Sequence, residues 1–349
     1  MKKPNIMLVG NGFNYTLKNF LLNSELKDEL DNVINLWEEF TELFNDIRTD
    51  NAFKNLSNEQ IIEIIYNSIS LIETLPFIDE ETHKRCLNEI SEKINEGIRN
   101  KLFKIIDNFI EIEENDVYIR LANYYHREVD LNIYEKIMEK NFSIYTTNYD
   151  GFTEIIFAYD KNEADYNRIK LRDMFRGCNS ENYNCFSFDG FEEDINEQKL
   201  LHLHGSYKFF KNQGEYIKIK RNGWRYYREN KKRLVPVVIF NAPSFKKNHI
   251  KFFEILRVYF FSFKKDLKKA KNLIIWGQSL KNDPHLIEVI KKNFENNRVD
   301  NKKIIIVDTN EDHQFVKDYQ NSNKLSLEFI NPKNYSDITE IFEDIFSRT

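Results

Sequence analysis

Cysteine is scarce in this chain. Three occur in 349 residues, Cys86, Cys178 and Cys185. An odd number without regular spacing excludes a disulfide-stapled scaffold and suits a reducing compartment, so the expected location is the cytoplasm. No apolar run is long enough to span a bilayer. Lys2 and Lys3 precede too few apolar residues for a secretory leader. Neither sign of charge dominates: 51 basic residues face 56 acidic ones, a net of -5, which excludes wholesale attraction to nucleic acid or anionic lipid. No internal repeat and no low-complexity linker is evident. The glycine motifs are incomplete as well. After Gly10-Asn11-Gly12 no third glycine arrives at dinucleotide-fold spacing, and no Gly-Lys-Ser/Thr closes a phosphate loop.

What remains is a set of short, buried-looking strands. Ile6–Val9, Phe142–Tyr145, Leu273–Trp276 and Ile304–Val307 are apolar runs that end in polar or glycine residues, and helical periodicity follows them. Leu200–His204 and Leu327–Ile330 add a fifth and a sixth. This pattern predicts an α/β protein with a Rossmann-like open parallel sheet. From about Leu26 to Lys140 the apolar spacing is helical instead. One stripe holds Ile61, Ile62, Ile65, Ile69 and Ile72; another holds Ile94, Ile98, Leu102, Ile105, Ile106 and Phe109. The expected organisation is therefore a sheet domain from residues 1–25 and 141–349, with a helical insertion or cap over 26–140. Tyr207 to Lys220 reads as a hairpin turning at Asn212–Gly214.

Open α/β sheets bind ligands at the carboxyl ends of their strands. Those ends carry Gly10-Asn11-Gly12-Phe13-Asn14, then Thr146-Thr147-Asn148-Tyr149-Asp150, then His202-Leu203-His204-Gly205-Ser206. Further on come Gly277-Gln278-Ser279-Leu280 and Asp308-Thr309-Asn310. Small or hydrogen-bonding residues stand at all five. Each also has a plainer reading. Gly10 and Gly12 suit a tight turn, and Asn148 and Asp150 suit caps of a helix over Phe152–Tyr159. Ser279 and Asp283 suit caps of a helix starting near Pro284. Alternation places His202 and His204 on one strand face, where histidine is commonly structural. A zinc set of Cys178, Cys185, His202 and His204 has suitable ligands at unsuitable spacing, and no metal is expected. Lys218 to Arg233 gathers eight basic residues around Trp224, Tyr226 and Tyr227. Such a mixture fits single-stranded nucleic acid; a solvated hairpin or partner surface fits it better in an acidic chain.

Taken in order, Gly-Asn-Gly-Phe, Thr-Thr-Asn-Tyr-Asp, His-Leu-His-Gly-Ser, Gly-Gln-Ser-Leu and Asp-Thr-Asn resemble the sirtuin-like domains of bacterial antiphage defence proteins. The opening Gly-Asn-Gly-Phe also resembles AbiH-type abortive-infection proteins. The resemblance implies NAD+ as substrate, with Asn148 and His204 catalytic. It implies that the Gly10, Asn11, Gly12 and Phe13 turn receives the pyrophosphate and ribose, and that Asp150 contacts the nicotinamide amide. Ser279 and Asn310 fall on the adenosine side, and Thr147, Gly277 and Asp308 complete the expected binding set. Sirtuin deacylases carry two Cys-x-x-Cys pairs between the histidine and the Gly-x-Ser strand. This chain has none there, so NAD+ cleavage is expected rather than deacylation.

The chemistry asks for little. Nicotinamide leaves NAD+ as a neutral base from a cationic ribosyl pyridinium, so no general acid is needed. The site must position a nucleophile and accept one proton, which an asparagine and a histidine can do without paired carboxylates. The expected activity is NAD+ glycohydrolysis, giving nicotinamide and ADP-ribose and depleting NAD+ on infection. Constant activity would be lethal, so a homo-oligomer or a co-encoded activating or sensor protein is the expected partner. The alternative is a non-catalytic nucleotide-sensing subunit of a defence complex.

Overall fold

The structure is a computed structural model. It describes residues 4–49, 100–158, 171–187, 198–239, 246–310 and 325–349, apart from single positions 101, 130, 132, 179, 282 and 297. Six strands form one wholly parallel sheet: β1 (Asn5–Val9), β2 (Phe142–Thr146), β5 (Leu200–His202), β9 (Asn272–Trp276), β10 (Lys303–Val307) and β11 (Ser326–Ile330). They lie in the order β11-β10-β9-β1-β2-β5. Renumbered by their turn in the chain, that order is 6-5-4-1-2-3, the doubly wound arrangement, whose direction reverses between β1 and β9. Every strand read from the apolar runs is present. β5 ends at His202, however, two residues short of the expected end.

Register makes the strand tips flush. Val9 lies opposite both Thr146 and Trp276, Thr146 opposite His202, and Trp276 opposite Val307, which faces Ile330. The loops that leave those residues therefore open along one edge. β1, β2 and β9 are buried along their whole length, as strands covered on both faces must be. On one face Phe13 stacks on Phe157 at 5.3 Å and meets Trp276 edge-on at 5.0 Å, and Trp276 packs on Phe342 of the Ile338–Arg348 helix at 4.8 Å. On the other, Tyr145 packs on Phe263 at 4.7 Å and donates to Asp266 Oδ2 at 2.7 Å. Both partners belong to the helix Glu254–Leu267.

A second, antiparallel sheet was not legible in the sequence. It has the order β3-β4-β7-β6-β8. Its strands are β3 (Phe175–Gly177), β4 (Tyr183–Phe186), β6 (Gly205–Asn212), β7 (Glu215–Ile219) and β8 (Val235–Val238). Only the β6–β7 hairpin was anticipated. It turns at Gln213 and Gly214 with φ of 48° and 90°, the left-handed pair that a two-residue hairpin favours. Gly205 starts β6 at φ 82°, and a Cβ there would stand 1.8 Å from the Val237 carbonyl oxygen. Backbone meets backbone where the chain passes from one sheet to the other, so glycine is required.

Between β1 and β2 the chain is helical over Ser24–Thr49, 102–114, Val117–Asn123 and Ile133–Glu139. Leu102, Ile105, Ile106 and Phe109 of the second stripe are buried as expected. Ile94, Ile98 and the stripe from Ile61 to Ile72 lie outside the described residues, as does Cys86. No described helix is long and apolar enough to cross a membrane.

Candidate functional site

The turn after β1 packs directly against the turn after β9. Gly10 N–H donates to the Trp276 carbonyl at 2.9 Å and Gly12 N–H to the Gly277 carbonyl at 2.8 Å. A Cβ on Gly12 would lie 2.6 Å from Gly277 Cα, and one on Gly10 would lie 2.0 Å from Gln278 Oε1. The glycines are thus required by close approach of two strand tips, so the tight-turn reading accounts for both. Phe13 N–H donates to the Gly10 carbonyl at 3.0 Å, and its ring is committed to the core. In this arrangement the amides of Gly10, Gly12 and Phe13 all have protein partners. A bound phosphate would compete with those bonds.

From this turn the helix α1 (Gly12–Phe20) carries Asn14 into the sheet's crevice, where it is fully buried. Asn14 Nδ2 donates to Asp150 Oδ2 at 2.8 Å. Asp150 Oδ1 accepts from Phe152 N–H at 2.9 Å and so caps the Phe152–Ala158 helix. The cap expected of Asp150 is present, while its other oxygen faces β1. Asn148 does not cap that helix. Its Nδ2 donates weakly to the Gly10 carbonyl at 3.3 Å and to Asn14 Oδ1 at 3.4 Å, and its buried Oδ1 has no hydrogen-bond partner among the described residues. A buried acceptor left open is costly, and this one stands at the tip of β2, against the turn after β1.

The two histidines part company. Because β5 ends at His202, the chain turns and the expected shared face is lost. His202 Nδ1 donates to the Asn148 carbonyl at 2.9 Å and its Nε2 lies 3.5 Å from Glu154 Oε1. Behind it, Lys218 Nζ bonds Glu154 Oε1 at 2.7 Å and Asp173 Oδ2 at 2.8 Å. Burial pushes the Glu154 carboxyl up, but Lys218 and His202 outweigh that and hold it well below its ordinary range. His202 is therefore a brace that fixes the backbone of Asn148.

His204 points elsewhere. Its Nε2 lies 3.5 Å from Asp283 Oδ1 and 3.3 Å from His285 Nε2. Burial, and then the charge of Lys246, keep its pKa well below the ordinary 6.5. Asp283 does not cap the Pro284–Ile290 helix with its side chain. Instead it accepts from Gln278 Nε2 and from Lys246 Nζ, each at 2.5 Å. Gln278 Oε1 in turn accepts from Thr147 Oγ1 at 3.1 Å. The path from Asn148 to His204 thus runs through neighbouring Thr147, then Gln278 and Asp283. It joins the tips of β2 and β9 to the turn after β5.

Other expected residues lie further out. Ser279 and Asn310 are exposed and Asp308 is half-buried. Asn310 N–H closes a local turn on Asp308 Oδ1 at 2.9 Å. The Cys178 thiol stays within its own strand pair, bonding the Tyr183 carbonyl at 3.5 Å. Burial and Cys178 push the Cys185 thiol up to about 12. With His202 and His204 facing apart, the four-ligand zinc set does not assemble. Donor atoms of His204, Asp283 and His285 do lie within 4.8 Å of one another. The Lys246 ammonium already answers the Asp283 charge there, which a metal would otherwise do.

Much of the basic segment is engaged by carboxylates of the same chain, Lys218 in the interior and the others nearer the surface. Lys218 is buried among carboxylates, Arg221 pairs with Asp116, Arg228 with Glu114 and Lys231 with Asp107. Trp224 and Tyr227 are buried, and Tyr227 donates to Asp107 Oδ1 at 2.9 Å. The segment clasps the helical insertion instead of presenting aromatic faces to a nucleic acid.

The sequence alone does not mark Lys246, Asp283, His285, Gln278, Glu154 and Asn14 as site residues. Only Asp283, Gln278 and Asn14 carried a signal, their place beside a strand end. A family model described as the SIR2-like domain matches residues 143–330, more than half of the chain. No curated protein matches it.

Proposed function

Because the chain belongs to the SIR2-like domain family, we propose that it is an NAD+ glycohydrolase that releases nicotinamide and leaves ADP-ribose. The observation that carries this reading is Asn148. It is a buried carboxamide at the tip of β2, beside the turn after β1, with an oxygen that has no partner among the described residues, held by Gly10, Asn14 and the His202 brace. A carboxamide so held can orient a water or a ribose hydroxyl in the crevice. In the proposed step water adds at ribose C1′ and gives its proton to His204. The N-glycosidic electron pair leaves with nicotinamide, which needs no proton from the protein. His204 is neutral and can accept.

Asn148, Asp150 and His204 are all nearly or fully buried. A site sealed in this way suits an enzyme kept latent until activated, as NAD+ depletion in antiphage defence requires. The Gly-Asn-Gly-Phe likeness to AbiH-type proteins supports the same abortive-infection setting. We take the helical insertion as the element through which a co-encoded protein or a second copy acts. Tyr118 brings it to the β2 tip, where a Cβ on Gly151 would lie 3.6 Å from the Tyr118 ring. Incubating the purified chain and its co-encoded neighbours with NAD+, and following nicotinamide, tests the reading. Binding without release would favour a nucleotide sensor.

A further inference from the structure

Behind His204 lies a buried ion pair that the proposed step does not use. Lys246 opens the helix Lys246–Phe252, Asp283 precedes the helix Pro284–Ile290, and His204 sits between the two sheets. Three distant segments therefore converge on one point. Lys246 Nζ stands 2.5 Å from Asp283 Oδ1, and that same oxygen stands 3.5 Å from His204 Nε2. His285 also faces the ring, with its Nε2 at 3.3 Å from His204 Nε2 and its Nδ1 4.0 Å from Asp283 Oδ1, and the buried Tyr149 phenol lies within the reach of the Asp283 charge. All four side chains are buried.

The charges act on the imidazole in opposite directions. A buried carboxylate alone beside His204 would draw a proton onto the ring and spoil it as an acceptor. A buried ammonium alone would keep the ring neutral but oppose the imidazolium formed when it takes a proton. With the two held together, burial and Lys246 keep the resting ring neutral, and Asp283 remains beside it to stabilise the charge that develops. A proton on Nε2 leaves Nδ1 as the ring's acceptor.

Resting on the reading of His204 as the proton acceptor of NAD+ cleavage, we propose that Lys246 and Asp283 are positioning residues. As a pair they hold His204 neutral and orient it before the reaction. The pair acts through His204 and need not touch the nucleotide.

The test is an NMR titration of histidine-labelled full-length protein, with the His204 signals identified by their loss in His204→Gln. Lys246→Met should raise the proton affinity of His204 at least about tenfold, while Lys246→Arg stays near the wild type. If Lys246→Met does not fold, Lys246→Met in an Asp283→Asn background is compared with Asp283→Asn alone. The same positive charge is removed, and the same upward shift is expected. An unmoved titration in the comparison that folds overturns the proposal. Nicotinamide release is followed across pH in parallel, and its acid limb should move up with the titration. A limb that stays while the titration moves overturns the pair's part in catalysis. A shifted titration in a chain that binds NAD+ but releases no nicotinamide overturns the hydrolase reading instead.

Discussion

Asn14 Nδ2 donates to Asp150 Oδ2 at 2.8 Å across the gap between α1 and the tip of β2, with both side chains fully buried. This bond closes the crevice between the first two strands and sets the wall on which Asn148 rests. Asn14→Ala leaves one carboxylate oxygen of Asp150 without that donor. The loss expected is about 1–3 kcal/mol, read by urea denaturation, together with weaker NAD+ turnover. Unchanged stability would show that the Asp150 carboxylate finds another partner.

Asn148→Ala should separate chemistry from fold. Its Nδ2 bonds are long and its Oδ1 bonds none of the described residues, so the cost in stability should be about 1 kcal/mol. Nicotinamide release should fall by about a hundredfold or more. Denaturant midpoints and nicotinamide assays on the same preparation distinguish the two.

Gly277 and Gly214 both have positive φ, yet they should respond differently to alanine. At Gly277 (φ 61°) a Cβ would stand 2.2 Å from the Phe13 backbone nitrogen, whereas at Gly214 (φ 90°) it meets nothing within 4 Å. Gly214→Ala should cost about 1–2 kcal/mol from backbone strain alone. Gly277→Ala should cost about 4 kcal/mol or more, or prevent folding, because two backbones must separate. Comparable melting temperatures for the two variants would contradict the tip-on-tip packing.

Stability should fall in two stages on acidification. Folded His204 stays neutral while the unfolded chain takes up a proton below its ordinary 6.5. The native state therefore loses stability as pH drops below that value, by up to about 1.4 kcal/mol per pH unit. Glu154, held charged in the fold, adds the same sign of effect once pH falls below its ordinary 4.5. Denaturation at a series of pH values checks this. His204→Gln should flatten the upper stage, and Glu154→Gln the lower.

Reversing Arg221, Arg228 and Lys231 together should loosen the helical insertion from the second sheet, since each faces one of its carboxylates. The pairs are partly exposed and individually weak, about 0–1 kcal/mol. Faster amide exchange over residues 102–116 is the expected reading. Single-stranded DNA binding should be negligible before and after the change.

The parallel sheet was legible because its strands are continuous apolar runs broken by polar tips, a pattern local enough to read. The position of His204 was not. The chain leaves the sheet at His202 because Gly205 must start a strand against Val237, a contact made across some thirty positions. β3 and β4 are short and of mixed polarity, so their partners decide that they are strands at all. The same holds for Lys246. Nothing in Lys246-Lys247 marks Lys246 as buried, and its ion pair depends on Asp283, brought to it by tertiary packing.

The most direct measurement is the time course of nicotinamide and ADP-ribose when the purified chain and its co-encoded neighbours meet NAD+. Equal amounts of both products are expected from the wild type and essentially none from Asn148→Ala. Equal release by the two proteins, or a wild type that binds the dinucleotide and returns it whole, would contradict it.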